Sequence, residues 1–168
     1  MKAVRLLASC FLTVLAFTVS AQTLPPVEHG VKDAIPTAKP PRNRAWSYRI
    51  PLNRRYSELT AEERKIVHAQ YESLAVGDEP PFPLEGYKPL VQAMTALQKA
   101  MMVWGELSLI ALIDAEGNPQ SVSAYGSPSP EMTKAAATVL MLTKFKPAVC
   151  AGKPCAMEFP FRLDFRLK

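Results

Sequence analysis

From Met157 to Leu167 every second residue is large and apolar: Met157, Phe159, Phe161, Leu163, Phe165 and Leu167. Glu158, Pro160, Arg162, Asp164 and Arg166 fall between them. Period two is the signature of a half-buried strand, with one face on a core and the other in water. Pro160 has no N–H to give to a ladder, so this strand belongs at a sheet edge. The run Leu107–Ile113 is apolar on both faces apart from Ser108 and contains no proline, which suits a central strand. Asp114-Ala115-Glu116-Gly117-Asn118 follows as a hairpin turn, with Gly117 supplying positive φ. A weakly alternating return strand spans about Gln120–Tyr125.

Helical spacing marks three other segments. Thr60 with Glu63 three residues on is a capping box for a helix over Ala61–Leu74, whose face is Ile66, Val67, Tyr71 and Leu74. Gly77 is placed to end it. Pro89 opens a second helix, along which Leu90, Met94, Leu97, Met101 and Trp104 form an apolar, core-facing stripe. Ser129 caps a third helix, with Pro130 at its first position, Glu131 at its positive end, and Met132, Ala135, Ala136, Val139 and Leu140 inward. Four prolines between Gly77 and Pro89 make that stretch a rigid crossover. The order helix, helix, hairpin, helix, strand predicts an α+β fold: a three-stranded antiparallel sheet with helices packed on one face, preceded by an extra N-terminal helix.

Outside this pattern the N-terminus reads as an export signal. Lys2 and Arg5 precede the apolar run Leu6–Val19, and Val19-Ser20-Ala21 is a small-x-small cleavage site. A membrane span needs about 20 apolar residues, more than this run holds. The expected organisation is residues 1–21 as signal peptide, 22–56 as a Pro-rich basic linker, 57–79 as an accessory helix and 80–168 as the main domain. That makes the mature chain an exported one; retention of the first segment as a membrane anchor is the alternative.

The net charge of +5 falls by two, to +3, once Lys2 and Arg5 are removed. Arg42, Arg44, Arg49, Arg54 and Arg55 cluster near the front, where a solvated tail and contact with an anionic surface are the two readings. No nucleic-acid partner is expected of an exported chain without interleaved aromatic and basic residues.

Candidate chemistry is sparse. With only 7 glycines there is no phosphate-cradling loop, and no G-x-S-x-G or Ser/His/Asp arrangement occurs, so no enzyme activity is expected. Cys150 and Cys155 are spaced widely for zinc ligands, and the two histidines, His29 and His68, do not complete a set. A redox pair favours C-x-x-C. A structural disulfide fits an exported chain that keeps two cysteines after cleavage. No metal and no cofactor are expected.

The stretch "PFPLEGYKPL…GELSLIALIDAEGNPQSVSAYGSPSPEMTKAAATVLMLTKFKPAVCAGKPCAMEFPFRLDF" resembles the TonB carboxy-terminal domain family. The resemblance lies in the order of Phe82-Pro83, the strand Gly105–Ile113, the Asp114–Gly117 hairpin, Ala135-Ala136, Phe145-Lys146-Pro147, Gly152-Lys153-Pro154 and the alternating last strand. It implies a domain that captures a short peptide of an outer-membrane transporter by strand addition to its last strand, here residues 156–166. Glu158, Pro160, Arg162, Asp164 and Arg166 are then the partner-binding candidates, with the arginines selecting acidic neighbours. A protein or peptide of the bacterial envelope is the expected partner, with a homodimer through the edge strand as a further outcome. The cleavable N-terminus and short linker differ from an energy transducer, which favours a periplasmic module. A membrane-anchored transducer for iron-complex or vitamin uptake, or a structural envelope protein, are the alternatives.

Overall fold

The computed structural model describes residues 31–33, 50–72 and 74–166. The signal-peptide reading for residues 1–21 and most of the expected linker lie outside the described residues. The architecture is α+β, and three antiparallel strands form its centre. Strand β3 (Gly105–Ile113) lies between β4 (Pro119–Gly126) and β8 (Met157–Phe165). Alternation decides which face is buried. Leu107, Leu109, Ala111 and Ile113 of β3 point into the core, as do Phe159, Phe161 and Phe165 of β8. The intervening positions form the opposite face, where Leu112 is 40% exposed.

A fourth strand, β1 (Val31–Asp33), pairs in parallel with β4 through Val31–Val122, Lys32–Ser123 and Asp33–Ala124. It comes from the segment expected to be linker. Three residues flanked by irregular sequence carry no periodicity from which a strand is readable. The sheet order is therefore β1-β4-β3-β8, which leaves β8 as one outer strand.

Helices α2 (Tyr87–Met101) and α3 (Pro130–Leu142) cover the buried face. Tyr87, Leu90 and Met94 of α2 and Met132, Ala136, Ala137 and Leu140 of α3 belong to the core. The start of α3 is as its sequence predicts: Ser129 is the N-cap and its hydroxyl accepts from the Met132 N–H at 3.1 Å. Trp104 is not part of the apolar stripe of α2. Met102 adopts a left-handed conformation with φ of 51°, the helix stops, and Trp104 emerges 47% exposed.

The accessory helix α1 covers Ala61–His68, shorter than the expected Ala61–Leu74. Its capping box forms, with Thr60 Oγ1 accepting from the Glu63 N–H and Glu63 accepting from the Thr60 N–H. Beyond His68 the bonds tighten to three-residue turns, from the Gln70 N–H to Val67 O and from the Tyr71 N–H to His68 O. Tyr71 and Leu74 remain half-buried beyond the helix, so the apolar pattern outlasts it. Gly77, at φ of 90°, belongs to a separate turn.

This region is joined to the main domain. Ile50, Tyr56, Leu59 and Val67 lie in the same core as the sheet residues. The Tyr56 ring packs on Phe82 at 5.6 Å, and burial, followed by the nearby Glu79 carboxylate, pushes its pKa up to about 12. Its hydroxyl meets His68 Nε2 at 2.9 Å, so His68 faces the domain and is half-buried. Arg54 pairs with Glu63 and Arg55 with Glu85, which puts two of the clustered arginines into internal ion pairs.

Candidate functional site: the outer edge of the last strand

The two-residue strands β2 (Phe82–Pro83) and β5 (Phe145–Lys146) pair with each other, and the hairpin β6 (Ala148–Cys150) and β7 (Lys153–Cys155) leads into β8. Cys150 and Cys155 form a disulfide with Cα atoms 5.8 Å apart. The turn between them differs from the expected Gly152-Lys153-Pro154. Its central residues are Ala151 and Gly152, both at positive φ, while Lys153 and Pro154 lie in β7. Two left-handed central residues give the twist a two-residue hairpin requires. Asp78 and Glu79, adjacent acids of the crossover, hold this hairpin from outside. Asp78 accepts from the Ala151 N–H at 2.9 Å, Glu79 exchanges two backbone bonds with Val149 at 2.8 Å, and its carboxylate pairs with Lys146.

Closing so short a loop removes little unfolded-state entropy, worth about 2 kcal/mol. Replacing Cys150 and Cys155 together by alanine is therefore expected to lower Tm by about 10 °C. A thermal melt of the double variant checks this. A fall under about 2 °C would mean that the Glu79–Val149 pairing alone holds the hairpin.

The direction of the backbone groups of β8 follows from the neighbouring turn. The Asp114 N–H donates to Asn118 O at 3.0 Å, toward β4. Backbone groups alternate sides along a strand, so even-numbered residues of β3 address β4 and odd-numbered ones address β8. The irregularities between β3 and β4 fall where β4 has an extra residue, Gln120 or Tyr125, and leave the alternation of β3 unbroken. Odd residues of β3 pair with odd residues of β8, as in Ala111–Phe159 and Leu109–Phe161. The even residues of β8 thus turn their N–H and C=O groups to the outer edge. Pro160, paired with Ile110, is one of them, so its missing donor costs no bond to β3. Among the described residues no strand pairs with that edge.

The five residues singled out from the sequence sit here, four on β8 and Arg166 just after it. Glu158, Asp164 and Arg166 are exposed, and Pro160 and Arg162 are half-buried. The two cations are already engaged. Arg162 Nε lies 3.0 Å from Glu106 Oε1 on β3, with the arginine side chain only 17% exposed, and Arg166 Nε lies 2.7 Å from Asp164 Oδ2. Glu106 was invisible to sequence reasoning because its role depends on the register that sets it diagonally across from Arg162.

Other surfaces hold less chemistry. Among the described residues no group of His, Cys, Asp and Glu gathers in a form that holds a metal ion. An open groove of about 540 Å³ between the start of α2 and the end of α3 is walled mainly by Pro83, Leu84, Leu90, Val139 and Leu142. No helix among the described residues is long and apolar enough to cross a membrane.

A three-stranded antiparallel sheet backed by two helices, with no strand paired to the outer edge of β8 among the described residues, is the architecture that positions the candidate site. Residues 97–167 match the family described as Gram-negative bacterial TonB protein C-terminal. No curated protein matches the chain. The family match covers α2 from Leu97 onward, the three antiparallel strands and α3; α1 and β1 lie before it.

Proposed function

We propose that this chain is a periplasmic, TonB-like binding module that takes an extended segment of an envelope protein as an added strand along β8. The observation that carries the reading is the outward-facing row of backbone groups at Glu158, Pro160, Arg162 and Asp164 on a strand with one unpaired side. The family is an interaction module of the Gram-negative envelope and not an enzyme family, which agrees with a function that needs no reacting group. An outer-membrane transporter is the partner this family favours. Export after cleavage at Ala21 would bring the domain to it.

Backbone pairing supplies affinity in strand addition, and alternate side chains supply selection. Pro160 offers a carbonyl but no N–H, so an incoming strand meets two complete positions beyond it, at Arg162 and Asp164, and one before it, at Glu158. A bare edge also invites a second copy of the same strand, and a proline in the middle of the row weakens such self-pairing.

Amide hydrogen exchange resolved by residue tests the reading. In the free protein the amides of Glu158, Arg162 and Asp164 are expected to exchange much faster than those of Phe159, Phe161 and Leu163. Addition of a periplasm-facing transporter peptide should slow the even set by about fivefold or more, since each gains a bond worth about 1 kcal/mol or better. Protection that appears instead along the Leu84–Leu142 groove would refute docking on β8.

A further inference from the structure

We infer that the edge of β8 selects a strand carrying a lysine or arginine opposite Glu158 and an apolar residue two positions away, opposite Pro160. The inference rests on the strand-addition reading and specifies its partner.

Register fixes which side chains share the face. Across the sheet, Ser121, Leu112 and Glu158 form one row, and Ser123, Ile110 and Pro160 form the next. An added strand extends each row by one residue, because the residue directly opposite lies on the same face. The second row ends on the half-buried pair Ile110 and Pro160, so an apolar side chain placed there covers apolar surface that already faces outward. The first row ends on Glu158, an exposed carboxylate beside Leu112.

Charge then separates the positions along the edge. Arg162 is spoken for by Glu106, and Asp164 by Arg166. No ion pair among the described residues reaches Glu158. The uncompensated charge of the edge is therefore negative and sits two residues from the proline. This reverses the sign expected from the sequence, where Arg162 and Arg166 were to attract acidic neighbours. A directly opposed unlike pair stabilises a sheet, and a like pair destabilises it by a comparable amount.

The probes are three end-blocked peptides. One is Thr-Thr-Val-Thr-Lys-Thr-Thr, whose valine lies opposite Pro160 when, in antiparallel pairing, its lysine lies opposite Glu158; the second has glutamate in place of lysine, and the third is the lysine peptide with alternate backbone nitrogens methylated to remove its donors. Binding to the full chain is followed by fluorescence anisotropy at low salt. The lysine peptide is expected to bind about fivefold tighter than the glutamate peptide, from the sum of one attractive and one repulsive pair. Glu158→Lys should invert that preference, and Glu158→Gln should abolish it; the site is exposed, so both variants fold. Equal binding of the two charged peptides, or a preference untouched by either substitution, overturns the inference while leaving strand addition intact. Undiminished binding of the methylated peptide overturns strand addition itself. If neither charged peptide binds, the inference is overturned as well.

Discussion

Phe159→Ala is expected to cost about 3–5 kcal/mol, a large share of the roughly 5–15 kcal/mol that holds a typical domain together. Phe159 is 1% exposed and stands where three layers meet. Its ring stacks on Tyr87 of α2 at 6.0 Å, tilts against Phe145 of β5 at 4.8 Å and lies 6.5 Å from Phe161. Tyr87 opens α2, and Phe145 pairs with Pro83 of the crossover, so truncation at Phe159 opens a cavity bordered by parts that cannot collapse independently. Tyr87 is itself 2% exposed, and this burial raises its phenol well above its usual pKa. Phe159→Leu keeps most of the volume and should cost about 1.5 kcal/mol or less. Urea denaturation of both variants measures the difference. A cost under about 2 kcal/mol for alanine would show that the aromatic layer is not the support of β8. Because Phe159 lies between Glu158 and Pro160, the same variant should also loosen the docking edge, while the leucine variant should spare it.

Elements carried by local pattern were legible in the sequence. The alternation of β8 shows in every residue from Met157 to Phe165, the capped start of α3 lies in Ser129-Pro130, and the turn between β3 and β4 lies in Asp114–Gly117. Pro160 marked its strand as an outer one, and β8 is outermost. What local pattern could not carry was pairing at a distance. Nothing near Val31 indicates that it will lie against Val122, and nothing near Arg162 indicates that Glu106 will neutralise it. The ion pairing of the candidate site was not legible for that reason: sign along a strand is visible in sequence, but compensation across strands is a property of register. The end of α1 was misjudged for a different reason. Tyr71 and Leu74 keep helical spacing although the chain has already turned, and both stay half-buried. Ala151 was missed as a turn residue since alanine seldom occupies the left-handed region, and here the disulfide and the Asp78 carboxylate hold it there.

Gly117→Ala is expected to destabilise by about 3–5 kcal/mol, although it adds a single methyl group. Gly117 has φ of 85°, and a Cβ built there would collide with the backbone carbonyl oxygen of Phe145. That carbonyl cannot swing aside cheaply. The Phe145 N–H donates to Gly117 O at 3.0 Å, and Phe145 pairs with Pro83 in the short β2–β5 ladder. The Asp114 carboxylate meanwhile clamps the same turn, accepting from the N–H groups of Glu116 and Asn118, the latter bond being the larger reason that its pKa lies below the usual range. The methyl must therefore break the Gly117–Phe145 bond, displace β5, or strain the turn. Gly152→Ala separates these costs. Gly152 has nearly the same φ, 80°, but nothing within 4 Å of its would-be Cβ, so it should pay only the left-handed penalty of about 1–2 kcal/mol. Denaturant midpoints of the two alanine variants, compared at equal m-value, measure the gap. Equal losses would mean that the turn and β5 are not in close approach. A larger loss at Gly117 would place the β3–β4 turn among the supports of Phe145, and through Phe145 of the aromatic layer beneath the docking edge.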